Sequence, residues 1–116
     1  GIPKEQAILS ATIVPAREIG RETEESLQRK GIACRVVKLP MAYSGRFVAE
    51  NEGVNGLCKL ILAEDDTILG AHVLGNPASE IITLAGMAVE LKLKAEEWKR
   101  VVFPHPTVGE IFREAL

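Results

Sequence analysis

The sequence lacks the features that mark several large classes of protein. Its formal net charge is only -2, so it has no excess of basic residues for a nucleic-acid-binding face. Its longest apolar stretch, residues 81–91, contains Thr83, Gly86 and Glu90 and is too short and mixed to span a bilayer. No charged-then-apolar stretch typical of a signal peptide stands at its start. We therefore expect a cytoplasmic protein that binds neither nucleic acid nor membranes.

Cysteine and histidine are also scarce, with two of each. Cys34 and Cys58 lie far apart in apolar, strand-like segments, so we interpret both as small buried hydrophobic residues rather than as a redox pair. Neither His72 nor His105 has a second metal-type ligand at a useful spacing, and we therefore expect no metal site. With 47% hydrophobic and 26% charged residues, the 116-residue chain suits one globular domain over residues 1–116.

Periodicity and turn signals predict both strands and helices. Alternating side chains around the acidic turn at residues 64–66 predict a hairpin of strands 56–63 and 67–74. Further strands are predicted at residues 7–14 and 34–41, and helices at 22–30, 78–93, 95–101 and 107–115. This order indicates an α+β fold, with an antiparallel sheet of about four to five strands and helices packed on one side.

The predicted helix at residues 78–93 is apolar around more of its circumference than a single buried stripe requires. One side can pack on the sheet of its own chain, and the other side then needs a partner. Ala85, Gly86 and Ala88 are small enough to let a second helix approach closely. The pattern predicts self-association.

His105 is the most informative residue because a proline stands on each side of it. Pro104 and Pro106 each fix their own φ and restrict the residue before them, so the histidine is held rigidly ahead of the last helix. Thr107 and Glu110 have the Thr-x-x-Glu spacing of a capping box, which predicts that Thr107 caps that helix. A loop histidine with a local hydrogen bond and a functional histidine both fit this pattern.

Four short motifs follow one another along the chain. They are Gly-Leu-Cys-Lys at residues 56–59, Ile-Leu-Gly-Ala-His-Val-Leu-Gly at residues 68–75, Ala-Ser-Glu at residues 78–80 and His-Pro-Thr-x-x-Glu at residues 105–110. In this order they resemble the Gly-x-x-Lys strand, the ILGxHxxG strand, a helix start and the signature near the end of the dihydrolipoamide dehydrogenase and glutathione reductase family. The resemblance covers nearly the whole chain and is to the C-terminal dimerisation domain of that family.

The resemblance implies a role for the last motif at an interface between two subunits. His105 would reach into the partner's active site and act as general acid and base toward a thiol, and Glu110 would orient its ring. Pro106, following a cis peptide bond, would sit against the partner's flavin. The implied parent is a homodimeric enzyme that carries its own FAD- and NAD-binding domains and acts on a dithiol or disulfide such as lipoamide.

The chain lacks the other parts that such an enzyme needs. It has no Gly-x-Gly-x-x-Gly loop and no closely spaced cysteine pair, so alone it is expected to bind neither FAD nor NAD and to be inactive. Mercuric and glutathione reductases share the signature, which leaves the substrate open between lipoamide and other disulfides or metal ions. A dimerisation module without a catalytic role is an alternative from another class. A hydrolase or transferase with His105 as base lacks a Ser or Cys nucleophile motif.

Overall fold

The computed structural model describes residues 10–12 and 24–116, and the side chains from residue 25 onward. Within this part, no helix is long and apolar enough to cross a membrane. The strands are β1 (Ser10–Thr12), β2 (Cys34–Pro40), β3 (Leu57–Ala63) and β4 (Ile68–Leu74). The helices are α1 (Glu24–Arg29), α2 (Gly45–Glu50), α3 (Ala78–Glu90), α4 (Ala95–Lys99) and α5 (Ile111–Ala115), and a 3-10 turn spans Met41–Tyr43. The rest of the predicted strand 7–14 and residues 22–23 of the first predicted helix lie outside the described residues.

The four strands form one antiparallel sheet in the order β1-β4-β3-β2. The predicted hairpin is confirmed as β3 and β4, with a register shift between Ile61 and Leu62. In its turn, the carboxylate of Asp65 accepts hydrogen bonds from the amide and the hydroxyl of Thr67, at 3.1 and 2.7 Å. Asp66 adopts a φ of 69°, a conformation that aspartate tolerates better than most residues. The acidic run therefore builds the turn.

The main core lies between one face of the sheet and helices α3, α4 and α5. Cys58, Leu60 and Leu62 of β3 alternate into this core, where their side chains are fully or almost fully buried. Ile61, between them, points to the other face and is also buried, as is Leu27 of α1. Since α1 packs on β2, it covers part of this second face. The predicted α+β class and antiparallel sheet are confirmed, and the three helices after the hairpin pack on one side.

Several predicted helices end earlier or begin later than expected. The helix predicted at 78–93 ends at Glu90, because the chain then turns at Lys92 with a φ of 53°. There the amide of Leu93 donates to the carbonyl of Ala88 at 3.0 Å, a backward bond typical of helix C-termini. The helix predicted at 95–101 ends at Lys99, and the one predicted at 107–115 begins only at Ile111.

The segment from Met41 to Glu50 differs most from the prediction. The strand expected to reach Met41 ends at Pro40, and the chain enters the 3-10 turn and then α2. Ser44 caps α2 by accepting a hydrogen bond from the amide of Phe47 at 3.1 Å. Met41 and Phe47 are both buried in the core. This segment therefore packs against Gly56 and Gly75, which flank the two hairpin strands, instead of extending the sheet.

Gly56 shows how closely that segment packs, and it provides a test. A Cβ at Gly56 would lie 2.5 Å from the carbonyl oxygen of Leu74 and 2.7 Å from Cγ of Met41. Since a backbone atom cannot simply move aside, Gly56→Ala should lower the free energy of unfolding by about 1–3 kcal/mol. Gly45→Ala is the matched control, because nothing lies within 4 Å of its Cβ position and alanine favours the helix by up to about 1 kcal/mol. Urea unfolding of both variants measures the difference, and equal stabilities would contradict the packing.

Candidate functional site

The loop that carries His105 runs between two short helices and is anchored at both ends. It follows α4 and precedes α5, whose residues Ile111 and Phe112 are fully buried. The His105–Pro106 peptide bond is cis, as the resemblance implies. The His105 side chain is 79% exposed. The loop therefore exposes its imidazole to solvent and is followed by a helix that is packed into the core.

Glu110 lies beside the imidazole and contacts it directly. Nδ1 of His105 is 2.8 Å from Oε1 and 3.1 Å from Oε2 of Glu110. The same carboxylate accepts a hydrogen bond from the amide of Thr107, which is 2.8 Å from Oε2. Unlike the histidine, Glu110 has a side chain that is only 14% exposed. The carboxylate thus holds both the ring and the backbone of the loop.

The prediction that Thr107 caps the last helix is wrong, although half of the capping box is present. The hydroxyl of Thr107 donates instead to the carbonyl of Pro104, at 2.7 Å. The residue that flanks α5 is Glu110, with no side-chain cap hydrogen bond. Only the bond from the Thr107 amide to the Glu110 carboxylate matches the expected box. Because the helix starts four residues later than predicted, Glu110 stands before its first turn and reaches His105.

The hydrogen bonds also determine which ring nitrogen is available. The pKa of Glu110 is held below its usual range, chiefly by the hydrogen bond from His105, and the amide of Thr107 acts in the same direction. The group is therefore a carboxylate near neutral pH, and a carboxylate only accepts hydrogen bonds. Nδ1 of His105 must then carry the proton, so the neutral ring has its lone pair on Nε2. The arrangement suits a general base whose free nitrogen is the exposed one.

Two residues that the sequence analysis missed hold the loop from the side of α2. Ser44 is fully buried, and its hydroxyl donates to the carbonyl of Thr107 at 3.1 Å. Nη1 of Arg46 donates to the carbonyl of Pro106 at 3.0 Å. Their sequence separations from these acceptors are 63 and 60 residues. The Ser44 helix cap was readable from sequence, whereas contacts over such distances were not.

Helix α3 has the two apolar sides that its sequence predicts. Its inner side is buried in the core, and its outer side exposes Leu84, Met87 and, just beyond the helix, Leu91. Val101 and Val102, between α4 and the histidine loop, are also exposed apolar residues, and Val102 is 86% exposed. We refer to these exposed residues together as the apolar face: Leu84, Met87, Leu91, Val101 and Val102. Val102 stands three positions before His105 in the sequence.

One detail of the predicted contact surface is wrong. Ala85 and Ala88, expected to admit a partner helix, are buried in the core of their own chain. Gly86 is half-buried. The small residues therefore allow α3 to approach its own sheet, while larger side chains form the exposed face.

The remaining candidates carry no chemistry. Both cysteines are free thiols, but only Cys58 is buried as predicted, whereas Cys34 is partly exposed. Burial raises the pKa of Cys58 to about 12, so it remains a protonated, unreactive core residue. His72 is half-buried on β4, and desolvation, followed by the charge of Lys59, lowers its pKa. Among the residues that the structure describes, no group of three His, Cys, Asp or Glu is placed to hold a metal ion.

The antiparallel sheet with helices packed on one side is a fold that this chain shares with solved flavoprotein disulfide reductases. The model of the family described as "Pyridine nucleotide-disulphide oxidoreductase, dimerisation domain" matches residues 18–116, and the chain belongs to this family.

The similar proteins are dehydrogenases and reductases of this kind. Dihydrolipoyl dehydrogenase of Staphylococcus aureus is 40% identical over 94 residues, which are 80% of this chain and 20% of that protein. The human mitochondrial dihydrolipoyl dehydrogenase is 38% identical over 95 residues, 81% of this chain and 18% of that one. The HOCl-induced flavoprotein disulfide reductase of Escherichia coli has a similar structure, with a TM-score of 0.73, 26% identity and coverage of 82% and 22% of the two chains. The chain spans about a fifth of the length of the curated relatives it matches.

The depressed pKa of Glu110 predicts how stability depends on pH. A carboxylate whose pKa is lower in the folded state stabilises the fold above its unfolded-state pKa, and this contribution is lost as the pH falls through the folded-state pKa. Wild type should therefore exceed Glu110→Gln in stability near pH 7, and the difference should shrink toward about pH 3. Urea unfolding at both pH values measures it. Glu114→Gln, which removes an exposed carboxylate from the same segment, is the control. The same pH dependence in both variants would contradict the assigned role of Glu110.

Proposed function

We propose that this domain pairs two subunits of an FAD- and NAD-dependent dihydrolipoyl dehydrogenase and supplies His105 to the active site of the partner subunit. The observation that carries the proposal is the hydrogen-bonded imidazole: Nδ1 contacts the carboxylate of Glu110 at 2.8 Å, while Nε2 is free on an exposed loop. The imidazole would act on a dithiol as general base and on a thiolate as general acid.

The geometry supports a specific proton path. A substrate thiol would transfer its proton to Nε2 of His105, leaving the thiolate, which is the nucleophilic form in thiol–disulfide exchange. The ring would then carry a positive charge, and the Glu110 carboxylate at 2.8 Å from Nδ1 would stabilise it. In the reverse direction, Nε2 returns the proton to a departing thiolate. Glu110 orients the ring throughout and does not need to change its own protonation.

The residues of this chain do not themselves fit a flavin or nicotinamide site. The sequence has no Gly-x-Gly-x-x-Gly loop, and Cys34 and Cys58 sit 24 positions apart on different strands. A flavin bound elsewhere in the enzyme supplies the two-electron redox chemistry. Pro106, exposed beside His105, is the residue of this chain that we expect to lie against the partner's flavin. Alone, the chain should show no turnover.

The apolar face supports pairing with a second copy of the chain. It comprises the exposed outer side of α3 and residues 101–102, which stand just before the loop of His105 in the sequence. Groups of exposed apolar side chains are typical of interaction sites. A homodimer formed through this face would carry each His105 to the boundary between the two subunits. Lipoamide as substrate rests on the dihydrolipoyl dehydrogenases among the relatives.

The catalytic role of His105 is tested by replacement in the full-length flavoprotein that contains this domain. His105→Gln should lower dithiol-dependent turnover by a factor of about 10² to 10⁴, the usual contribution of an acid or base group. Thermal unfolding should change little, because the ring is mostly exposed. Glu114→Gln is the control for a substitution in the same C-terminal segment. Unchanged turnover of His105→Gln would leave a dimerisation domain without a catalytic role.

The apolar face is tested by charge insertion. Met87 is 55% exposed at the middle of the face, and Met87→Glu would bury an unpaired charge on pairing. We expect the dissociation constant of the dimer to rise by at least about a hundredfold. Ile32→Glu is the control, since Ile32 is also an exposed apolar residue but follows α1. Sedimentation over a concentration series measures both. A wild-type chain that stays monomeric, or equal effects of the two substitutions, would overturn the pairing through this face.

A further inference from the structure

The Pro106–Thr107 peptide group joins Arg46 to the His105–Glu110 pair. Its carbonyl oxygen accepts a hydrogen bond from Nη1 of Arg46 at 3.0 Å. Its amide donates to Oε2 of Glu110 at 2.8 Å, and Oε1 of the same carboxylate contacts Nδ1 of His105 at 2.8 Å. A continuous chain of hydrogen bonds therefore runs from a guanidinium to the imidazole.

The guanidinium is itself held in place. Nε of Arg46 lies 3.1 Å from Oε2 of Glu50, one helical turn further along α2. This ion pair leaves Nη1 to reach the loop. The start of α2 is fixed as well, because the buried Ser44 accepts the amide of Phe47 and donates to the carbonyl of Thr107. Ser44 and Arg46, two positions apart, thus hold two consecutive carbonyls of the histidine loop.

Polarisation passes along these hydrogen bonds from Arg46 toward Glu110. A cationic donor at a peptide oxygen polarises the peptide group, which makes its N–H a stronger donor, and such chains reinforce each bond by roughly 10–30%. The strengthened amide is the one that holds Glu110. An exposed side-chain ion pair with Glu50 alone would contribute little, since such pairs have modest effects in water. The bond to Pro106 is what connects Arg46 to the site.

We propose that Arg46 is a positioning residue for His105, acting through the Pro106–Thr107 peptide and the carboxylate of Glu110. It keeps the carboxylate aimed at Nδ1 and thereby keeps the lone pair of the neutral ring on Nε2. The positioning itself depends only on the geometry of this chain. Its consequence for turnover rests on the proposed function.

The positioning is tested on the 116-residue chain by the ring nitrogens of His105, whose NMR chemical shifts report which nitrogen carries the proton. In wild type we expect the neutral ring to be protonated mainly at Nδ1. Arg46→Gln should shift the population toward a mixture of the two tautomers, and Arg46→Lys, which retains a cationic donor, should restore part of it. Arg35→Gln is the matched control: Arg35 is 54% exposed against 43% for Arg46, and it also forms an ion pair, with Asp66.

The outcomes separate clearly. A shift in Arg46→Gln that Arg35→Gln lacks supports the positioning role. An identical tautomer population in wild type and Arg46→Gln, with the fold intact by circular dichroism, overturns it. Glu50→Gln adds a second variant that does not touch the loop: it should loosen the guanidinium and give a smaller shift in the same direction.

The consequence for turnover is measured in the full-length flavoprotein. Arg46→Gln should lower kcat by on the order of tenfold, with little change in KM, because the base is displaced and substrate binding is not. In the background of His105→Gln, the same substitution should have no further effect on kcat, as expected for two residues that act as one unit. Equal losses in both backgrounds would overturn the positioning role. If His105→Gln itself leaves turnover unchanged, the proposed function fails, while the tautomer measurement still judges Arg46.

Discussion

The packing of three aromatic rings beneath the histidine loop is the constraint on which the site depends. Trp98 of α4 stacks on Phe112 of α5, with ring centroids 5.2 Å apart and planes 30° from parallel. The rings of Trp98 and Phe103, which lies in the loop itself, have centroids 6.2 Å apart. The chain is thus fixed before, within and after the segment that carries His105. An exposed side chain keeps one position more readily when the backbone beneath it is packed, and these rings pack the loop onto the two helices that flank it.

Beyond this aromatic packing, polar contacts set the orientation of the imidazole. The late start of α5 at Ile111 leaves Glu110 outside the regular helix, with one carboxylate oxygen for the backbone and one for the ring. A full capping box with a helix from Thr107 would have committed this turn to the helix. The amide of Thr107 therefore fixes the same carboxylate that the imidazole contacts.

The sequence predicts the parts of this arrangement that depend on local patterns. Alternation in β3 predicts the hairpin, and the prolines beside His105 predict a rigid loop. Three features could not be predicted from the sequence, for physical reasons. Helix α2 has six residues, too few to show a repeating helical pattern. The contacts that Ser44 and Arg46 make with the histidine loop join residues some 60 positions apart. The side of α3 on which Ala85 and Ala88 are buried could not be predicted either, because a helix that is apolar on two sides does not reveal which side meets its own sheet.

This chain orients the imidazole of His105 but does not exclude water from it. Orienting an imidazole takes short, directional hydrogen bonds, and these are complete within one chain. Making it an effective base also requires that water be kept from Nε2, since electrostatic interactions weaken in a medium of high dielectric constant. This chain leaves the ring 79% exposed and so does not supply that exclusion. Under the proposed function, that exclusion must come from the partner subunit, because the hydrogen bonds of this chain orient the ring without covering it.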